Sequence, residues 1–234
     1  MCGITGFWAK PESPEAALRS LISAMTETLY HRGPDDAGVW TDAASGAALG
    51  FRRLAIVDLS PRGHQPMTSE SGRFEIVFNG EVYNFASLRL ELDKLGHHFR
   101  GGSDTEVILA AVEEWGLTAA VQRFVGMFAI ALWDRELRQL HLVRDRLGIK
   151  PLYYGWFDGT FMFGSELKAL VAHPAFRAEI DRDALTLYMR HGYVPSPYSI
   201  YQGVHKLPPG CILTLQSHDQ DLAQPQPYWS AQDV

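Results

Sequence analysis

Short segments with the pattern of β-strands, separated by tight turns, limit the folds that this chain can adopt. In the second half of the chain, this pattern predicts strands over residues 127–133, 139–143, 152–154 and 160–163. Asp158-Gly159 predicts a hairpin turn between the last two of these strands. Asn79-Gly80 predicts another hairpin turn after a strand over 73–78. Hairpins pair strands antiparallel, so we predict an α+β fold of stacked layers instead of a parallel, doubly wound sheet.

Capping residues predict helices between these strands. Ser13-Pro14 predicts the start of a helix whose apolar residues fall on one face, with the serine as N-cap. Ser103-Asp104-Thr105-Glu106 has the S-x-x-E pattern of a capping box before a second apolar run. Further predicted elements are strands over 2–9 and 47–57 and helices over 84–95, 165–171 and 182–191.

Charge and hydropathy argue against several classes of function. Asp and Glu outnumber Lys and Arg by 27 to 21, which disfavours a general nucleic-acid or anionic-membrane surface. No apolar run approaches the roughly 20 residues that span a bilayer, and the N-terminus lacks the basic and apolar regions of a signal peptide. We therefore predict a cytoplasmic protein without nucleic-acid or membrane partners, in which Cys2 and Cys211 form no disulfide.

Cys2 stands directly after the initiator methionine. A cysteine there can be chance, a small apolar residue that opens a buried strand, or half of a disulfide. If Met1 is removed, Cys2 carries a thiol and a free α-amine, whose reference pKa values are about 8.5 and about 7.7 to 8.0. A nucleophile and a base of suitable pKa then lie on one residue, without a histidine partner.

Several polar clusters follow Cys2 in order along the chain. They are CGI at residues 2–4, HRGPD at 31–35, RLAIVD at 53–58, NGEVYN at 79–84 and GSDTE at 102–106. Together they resemble the glutaminase domain of the asparagine synthetases that use glutamine, which are N-terminal-nucleophile amidotransferases. The resemblance continues through residues 126–129, 144–153, 164–170 and 200–210, and so covers nearly the whole chain.

The resemblance implies both a fold and a reaction. The fold is a four-layer αββα sandwich of two antiparallel sheets, that of the N-terminal-nucleophile hydrolases. The reaction is the hydrolysis of L-glutamine to glutamate and ammonia, which needs no cofactor and no metal site. The ammonia normally passes through a tunnel to a synthetase domain that amidates aspartate or a related acid, and ATP and Mg²⁺ are expected only on that domain.

The resemblance assigns catalytic roles to Cys2, Asn79 and Gly80. Cys2 attacks the amide carbon of glutamine, and its own α-amine moves the protons. The side-chain amide of Asn79 and the backbone N–H of Gly80 stabilise the charge that develops on the carbonyl oxygen. Asn79 can instead serve only to shape the predicted turn.

Four further residues are candidates for binding glutamine through its charged groups: Arg53, Glu81, Asp104 and Gly102. Arg53 offers a planar fork to the α-carboxylate, and Asp104 a negative charge to the α-ammonium. The resemblance places Glu81 near the substrate ammonium or the N-terminal amine. Asp104 can also be only a favourable acidic residue in the first turn of a helix, and Glu81 only a solvated residue beside a turn. The resemblance places Gly102 in the glutamine pocket.

We predict one amidotransferase domain over residues 1–215 and a polar tail or truncated interdomain linker over 216–234. On this prediction the chain is a fragment, or a stand-alone glutaminase that delivers ammonia to a separate synthetase subunit; a homodimer is also compatible. Three alternatives remain open. They are a relative of the phosphoribosyl or hexosamine amidotransferases, an enzyme with another ammonia acceptor, and an inactive glutamine-binding module.

Overall fold

Two six-stranded sheets form the centre of the fold in the computed structural model, which describes residues 1–11, 13–56, 58–216 and 223–233. The strands are β1 (Gly3–Trp8), β2 (Asp36–Asp42), β3 (Ala47–Arg53), β4 (Met67–Thr68), β5 (Phe74–Val82), β6 (Gly126–Asp134), β7 (Gln139–Arg144), β8 (Tyr153–Phe157), β9 (Thr160–Gly164), β10 (Val204–Lys206), β11 (Cys211–Leu215) and β12 (Gln226–Pro227). The helices are α1 (Glu15–Glu27), α2 (Phe85–Lys94), α3 (Asp104–Trp115), α4 (Leu117–Arg123), α5 (Leu167–Val171) and α6 (Arg182–His191). The first sheet has the order β10-β8-β9-β1-β3-β2, and the second β12-β11-β7-β6-β5-β4.

Three hydrophobic cores separate four layers. The core between the two sheets includes Ile4 and Phe51 of the first sheet and Trp133 of the second. The first sheet buries its other face against α1 and α5, and the second sheet buries its other face against α2, α3 and α4. All strand pairs in the two sheets are antiparallel. The predicted α+β class and the αββα sandwich are therefore confirmed.

Of the two predicted hairpins, one is confirmed and one is wrong. Asp158-Gly159 joins β8 to β9, and both residues have positive φ angles, of 48° and 77°. Asn79-Gly80 instead lies inside β5, opposite Ala129 and Phe128 of β6. Strand β5 pairs with β6 along all 9 of its residues, and this pairing outweighs the local turn preference of Asn-Gly.

The helix starts agree with the predicted caps at α3 but not at α1. Helix α1 begins after Pro14 without any side-chain cap, so Ser13 is not its N-cap. At α3, Ser103 Oγ accepts a hydrogen bond from the Thr105 N–H at 3.1 Å. Glu106, however, accepts from the N–H groups of residues 100 and 101, at 3.0 and 2.7 Å, and so ties down the loop before α3.

The structure describes only part of the predicted polar tail or linker over residues 216–234. Residues 217–222 and 234 lie outside the described residues. Within 223–233, β12 pairs with β11, and Tyr228 is buried with its hydroxyl donating to the Arg144 carbonyl at 3.0 Å. Tyr228 and β12 therefore attach this stretch to the second sheet, and the polar tail or truncated interdomain linker over 216–234 stays a prediction.

The helices within the described ranges are short, and the longest is α1 with 13 residues. None of them combines the length and the hydropathy that a membrane crossing requires. The predicted cytoplasmic location stays a prediction.

Candidate active site

Cys2 lies immediately before β1, the strand between β3 and β9 in the first sheet. Its Sγ accepts a hydrogen bond from the Leu54 N–H at 3.4 Å and lies 3.6 Å from the Leu54 carbonyl oxygen. The Cys2 carbonyl accepts from Arg32 Nε at 2.9 Å, and Arg32 Nη1 in turn donates to Glu166 Oε1 at 2.8 Å. Leu54 thus holds the thiol of Cys2, and Arg32, from the segment at residues 31–35, holds its backbone carbonyl.

A cavity of about 130 Å³ opens beside Cys2. It is smaller than the roughly 300–1,000 Å³ typical of drug-sized ligands, so its size suits a small metabolite. Six of the seven predicted site residues line it, namely Cys2, Arg53, Asn79, Gly80, Glu81 and Asp104. Gly102 lies outside the lining, and its N–H donates to Oδ2 of Asp58, a lining residue, at 3.1 Å.

A second, larger groove of about 450 Å³ lies along β4 and the loop before α3. Its lining includes Arg62, His64, His97 and Arg100. None of the predicted site residues lines this groove, so cavity size alone does not identify the site.

Asn79 lies on the face of β5 that is directed between the two sheets. Val77, two residues earlier on the same face, packs in the core between the sheets. Asn79 is 1% exposed, and its Nδ2 has no hydrogen-bond partner among the described residues. An unpaired buried donor costs about 1–3 kcal/mol, so this amide is a donor available to a ligand in the cavity.

The backbone N–H of Gly80 is a second available donor. Phe78 and Val82, two residues to either side, direct their N–H groups away from β6, to Gln65 Oε1 at 2.6 Å and Asp104 Oδ2 at 3.0 Å. Backbone donors alternate along an antiparallel strand, so the Gly80 N–H points the same way, and none of the described residues accepts it. A Cβ at Gly80 would overlap a backbone carbonyl oxygen of β6, so glycine is required here.

Asp104 and Glu81 form an anionic wall of the cavity. Asp104 is the first residue of α3 and is 5% exposed. Burial raises the pKa of Asp104 to about 6; the hydrogen bond from the Val82 N–H opposes this, and the negative charge of Glu81 adds to it. Two neighbouring carboxylates suit the binding of an ammonium group.

Arg53, at the end of β3, faces the cavity, whereas Arg52 points to the opposite side and pairs there with a glutamate of α1. Arg53 Nη1 donates to the Ser60 carbonyl at 2.9 Å, and Nη2 donates to the Asp58 carbonyl. A Cβ at Gly63 would overlap Arg53 Nη2, so this glycine leaves room for the guanidinium group. The guanidinium group that is predicted to bind the α-carboxylate of glutamine therefore also holds the loop at residues 58–60, through hydrogen bonds to its backbone carbonyls.

Met1 and Lys150 also line the cavity. Burial raises the pKa of the Cys2 thiol, while the hydrogen bond from Leu54 N–H and the charges of the N-terminus, Arg53 and Lys150 oppose this shift. Lys150 Nζ contacts Met1 Sδ at 3.2 Å. With Met1 in place, the α-nitrogen of Cys2 is an amide and cannot accept a proton.

Sequence reasoning did not single out Lys150, Gln65 or Gly63. Gln65 connects β5 to α3 across the cavity, because its Oε1 accepts from the Phe78 N–H and its Nε2 donates to Thr105 Oγ1 at 3.1 Å. These contacts join residues far apart in the chain, so no local pattern predicts them. The motif at 144–153 was the one pattern that could have drawn attention to Lys150.

Sequence comparison gives a match over most of the chain. The family described as "Glutamine amidotransferase domain" matches residues 1–229. The chain is 38% identical over 235 residues to glutamine-hydrolyzing asparagine synthetase 3 from Bacillus subtilis (strain 168), an alignment that covers 99% of this chain and 37% of that protein. It is 40% identical over 232 residues to a putative glutamine-hydrolyzing asparagine synthetase from Mycobacterium tuberculosis (strain ATCC 25618 / H37Rv), which covers 93% and 35% respectively. The chain thus spans little more than a third of the length of these relatives.

Structural comparison gives a match to the whole fold. The chain is similar to a glutamine phosphoribosylpyrophosphate amidotransferase from Bacillus subtilis complexed with ADP and GMP, with a TM-score of 0.70 and 17% sequence identity. The match covers 97% of this chain and 49% of that chain. At this identity the likeness concerns the fold alone, and it agrees with the two-sheet sandwich described above.

Proposed function

The chain belongs to the family of glutamine amidotransferase domains, and on this basis we propose that it hydrolyses the side-chain amide of L-glutamine and supplies the ammonia to a synthetase. One observation carries the proposal. Beside the Cys2 thiol, in a small polar cavity, two donors lack a partner among the described residues: Asn79 Nδ2 and the Gly80 N–H. Donors fixed in advance around a nucleophile suit a reaction that develops negative charge on a carbonyl oxygen.

In the proposed mechanism, removal of Met1 frees the α-amine of Cys2. The amine takes the thiol proton, directly or through a water, and the sulfur attacks the side-chain amide carbon of glutamine. The tetrahedral intermediate collapses to a thioester as the amine passes the proton to the departing ammonia. Water then hydrolyses the thioester, which releases glutamate and restores the thiol.

Asn79 Nδ2 and the Gly80 N–H are proposed to bind the oxyanion of the tetrahedral intermediate. The two donors belong to consecutive residues of a strand whose pairing with β6 holds them rigid. A preformed donor pair needs no reorganisation when charge develops, which is the physical basis of oxyanion stabilisation.

The charged groups of glutamine have complementary partners on two sides of the cavity. Asp104 and Glu81 are proposed to bind the α-ammonium group, and Arg53 the α-carboxylate. Both terminal nitrogens of Arg53 already donate to loop carbonyls, so its part in carboxylate binding includes holding that loop at the cavity rim. Gly102 acts, on this proposal, through its hydrogen bond to Asp58 at the same rim.

The acceptor of the ammonia is proposed from the relatives. The two sequence relatives named above are glutamine-hydrolyzing asparagine synthetases of which this chain spans 37% and 35%. We therefore propose that a synthetase domain or subunit receives the ammonia and amidates aspartate or a related acid, with ATP and Mg²⁺ bound there, while the glutaminase step uses no cofactor. A cytoplasmic location and a homodimer belong to the same proposal. Delivery to another acceptor is the second candidate.

The proposal is tested by intact mass spectrometry and a glutamate-release assay, before and after treatment with a glutamine-like electrophile that labels thiols. We expect loss of Met1, glutamate release, and one adduct on Cys2. A Cys2→Ala variant should bind glutamine without turnover, whereas Cys211→Ala, which changes the buried cysteine of β11, should remain active.

Two outcomes contradict the proposal. A chain with Met1 removed that neither labels nor releases glutamate refutes the proposal that this chain hydrolyses glutamine by itself, and glutamine binding by that chain would then identify a binding module. Appreciable activity with Met1 or a tag still in front of Cys2 refutes the role of the α-amine as the base.

A further inference from the structure

Lys150 ends a turn whose backbone is tightly fixed. Asp145 is fully buried, and its carboxylate accepts from the backbone N–H groups of residues 128, 147, 149 and 150, at 2.9 to 3.2 Å. From the other side, Arg144 donates to the carbonyls of Lys150 and Gly148, at 2.8 Å each. The position from which the Lys150 side chain enters the cavity is therefore rigid.

The ammonium group of Lys150 is buried with an unusually weak partner. The residue is 4% exposed, and Nζ makes its one hydrogen bond within the described ranges to the thioether sulfur of Met1, at 3.2 Å. No carboxylate in that part of the chain forms an ion pair with it. A thioether is a weak acceptor, so a buried cation stands at the cavity with little to compensate its charge.

The charged groups around Lys150 come from several elements. They are Arg32 in the turn after α1, Cys2 immediately before β1, Glu81 in β5, and Asp145 in the same turn as Lys150. Burial lowers the pKa of Lys150, and Arg32 lowers it further, while Cys2, Asp145 and Glu81 raise it. Arg53 is the other side-chain cation that acts on the Cys2 thiol, and both of its terminal nitrogens bond to a loop.

Met1 is the residue that must be lost for Cys2 to become the N-terminus. Its loss takes away the sulfur that Lys150 contacts and leaves the ammonium at the cavity that Cys2 also lines, where its charge acts on the Cys2 thiol. A positive charge disfavours protonation of a neighbouring amine and favours ionisation of a neighbouring thiol.

We propose that Lys150, released from Met1 by processing, keeps the α-amine of Cys2 unprotonated until it takes the thiol proton, and stabilises the thiolate that forms in that step. This inference rests on the proposed glutaminase function. Lys150 is a positioning residue in the sense that it acts through Cys2 and does not contact the reacting carbonyl. Its positive charge stabilises the thiolate as an imidazolium does beside other cysteine nucleophiles, while the α-amine of Cys2 remains the base.

The test compares Lys150→Met and Lys150→Gln with Lys150→Arg, which keeps the charge. Lys206→Met is the control. Lys206 lies in β10, is partly buried, donates to the Val194 carbonyl and lies outside the cavity lining. For each protein, intact mass verifies Met1 loss. Two profiles are then recorded between about pH 5.5 and 9.5: the rate of Cys2 alkylation by iodoacetamide without glutamine, and kcat/KM for glutamine hydrolysis.

In both neutral variants, we expect the midpoint of the alkylation profile and the acidic limb of the kcat/KM profile to move to higher pH by about one unit. At a given pH on that limb, kcat/KM is then about tenfold lower. Lys150→Arg should restore both midpoints toward the wild type, and Lys206→Met should leave them unchanged. A purely structural role would lower activity at every pH without moving a midpoint.

Three results separate this inference from the function on which it rests. Unchanged midpoints in folded neutral variants of an active enzyme overturn the role of Lys150 alone. Failure of both neutral variants to fold also overturns it, because Lys150 then serves the fold. A wild-type chain that loses Met1 but neither alkylates nor hydrolyses glutamine overturns the glutaminase proposal instead.

Discussion

Replacing Asp104 by asparagine should make the protein more stable and less active at neutral pH. Burial raises the pKa of the Asp104 carboxyl to about 6, so its ionised form is disfavoured in the folded state. Asparagine keeps an oxygen that can accept the Val82 N–H, which lies 3.0 Å from Asp104 Oδ2, but carries no charge. The matched control is Glu75→Gln, because Glu75 is also buried, with a pKa raised by burial to about 7, and lies outside the cavity lining.

The size of the stability effect follows from how far burial raises the pKa of Asp104. The folded pKa of Asp104 lies about two units above its ordinary value of 3.8, and this corresponds to about 3 kcal/mol. Between the unfolded and folded pKa values the folded state binds more protons, so stability falls as the pH rises from about 4 to 6 and then stays constant. The gain of Asp104→Asn over the wild type should therefore be small near pH 4 and reach at most about 3 kcal/mol above pH 6.

Thermal unfolding at several pH values measures this gain. For a chain of this length about 3 kcal/mol corresponds to a Tm increase of roughly 6 to 12 °C at pH 7. Glu75→Gln should increase the stability by a similar amount, but this increase should reach its full size at a higher pH, because the pKa of Glu75 is about 7. This variant should retain glutaminase activity. Asp104→Asn should lower kcat/KM for glutamine at least about 30-fold, because loss of a buried charged partner costs about 2–5 kcal/mol.

Two results would refute this reasoning. A Tm difference between Asp104→Asn and the wild type that is the same at about pH 4 and pH 7.5 would show that burial does not disfavour the ionised carboxylate. An unchanged KM would show that Asp104 does not bind the glutamine ammonium group.

Three further substitutions test separate parts of the site. Asn79→Ala should lower kcat about 100- to 1,000-fold with little change in KM or Tm, because its Nδ2 is proposed to bind the oxyanion and has no hydrogen-bond partner among the described residues; a change in KM alone would contradict this. Arg53→Lys should raise KM and increase protease cleavage near residues 58–60, since a lysine ammonium is not a planar fork that reaches both loop carbonyls; an unchanged KM and digestion pattern would count against it. Asp145→Ala should lower the free energy of unfolding by about 3 kcal/mol or more in urea titrations, because it leaves buried N–H groups unpaired, and a loss below about 1 kcal/mol would be inconsistent with that account.

The fold class could be predicted because its determinants are local. The Asp158-Gly159 turn and the Ser103 cap act within a few residues, and both form as predicted. Asn79-Gly80 has the same local preference for a turn, yet pairing with β6 keeps both residues in a strand. Where a long strand pairing and a two-residue preference disagree, the pairing involves more hydrogen bonds and buried side chains and decides the structure.

The residues of the candidate site could be predicted from the sequence, but the hydrogen bonds and contacts that join them could not. The motifs predicted that Cys2, Asn79 and Asp104 would lie together, and all three line one cavity. The sequence did not predict that Gln65 connects β5 to α3, or that Lys150 contacts Met1. Such contacts depend on the register and spacing of two sheets, which local patterns do not encode.

The outer edge of β5 also determines what kind of molecule can approach the nucleophile. Strand β4 covers only two residues of this edge, and beyond it the side chains of Gln65 and Asp104 occupy the N–H groups of Phe78 and Val82. An uncovered strand edge attracts extended polypeptides, which add to a sheet by pairing residue after residue. Between residues 78 and 82 of this edge, Gly80 has the one outward N–H group without an acceptor among the described residues. A peptide therefore cannot form a series of strand hydrogen bonds here, whereas a single carbonyl oxygen can accept from the Gly80 N–H. We therefore expect the backbone at this position to disfavour both the addition of a further strand and the binding of peptide substrates.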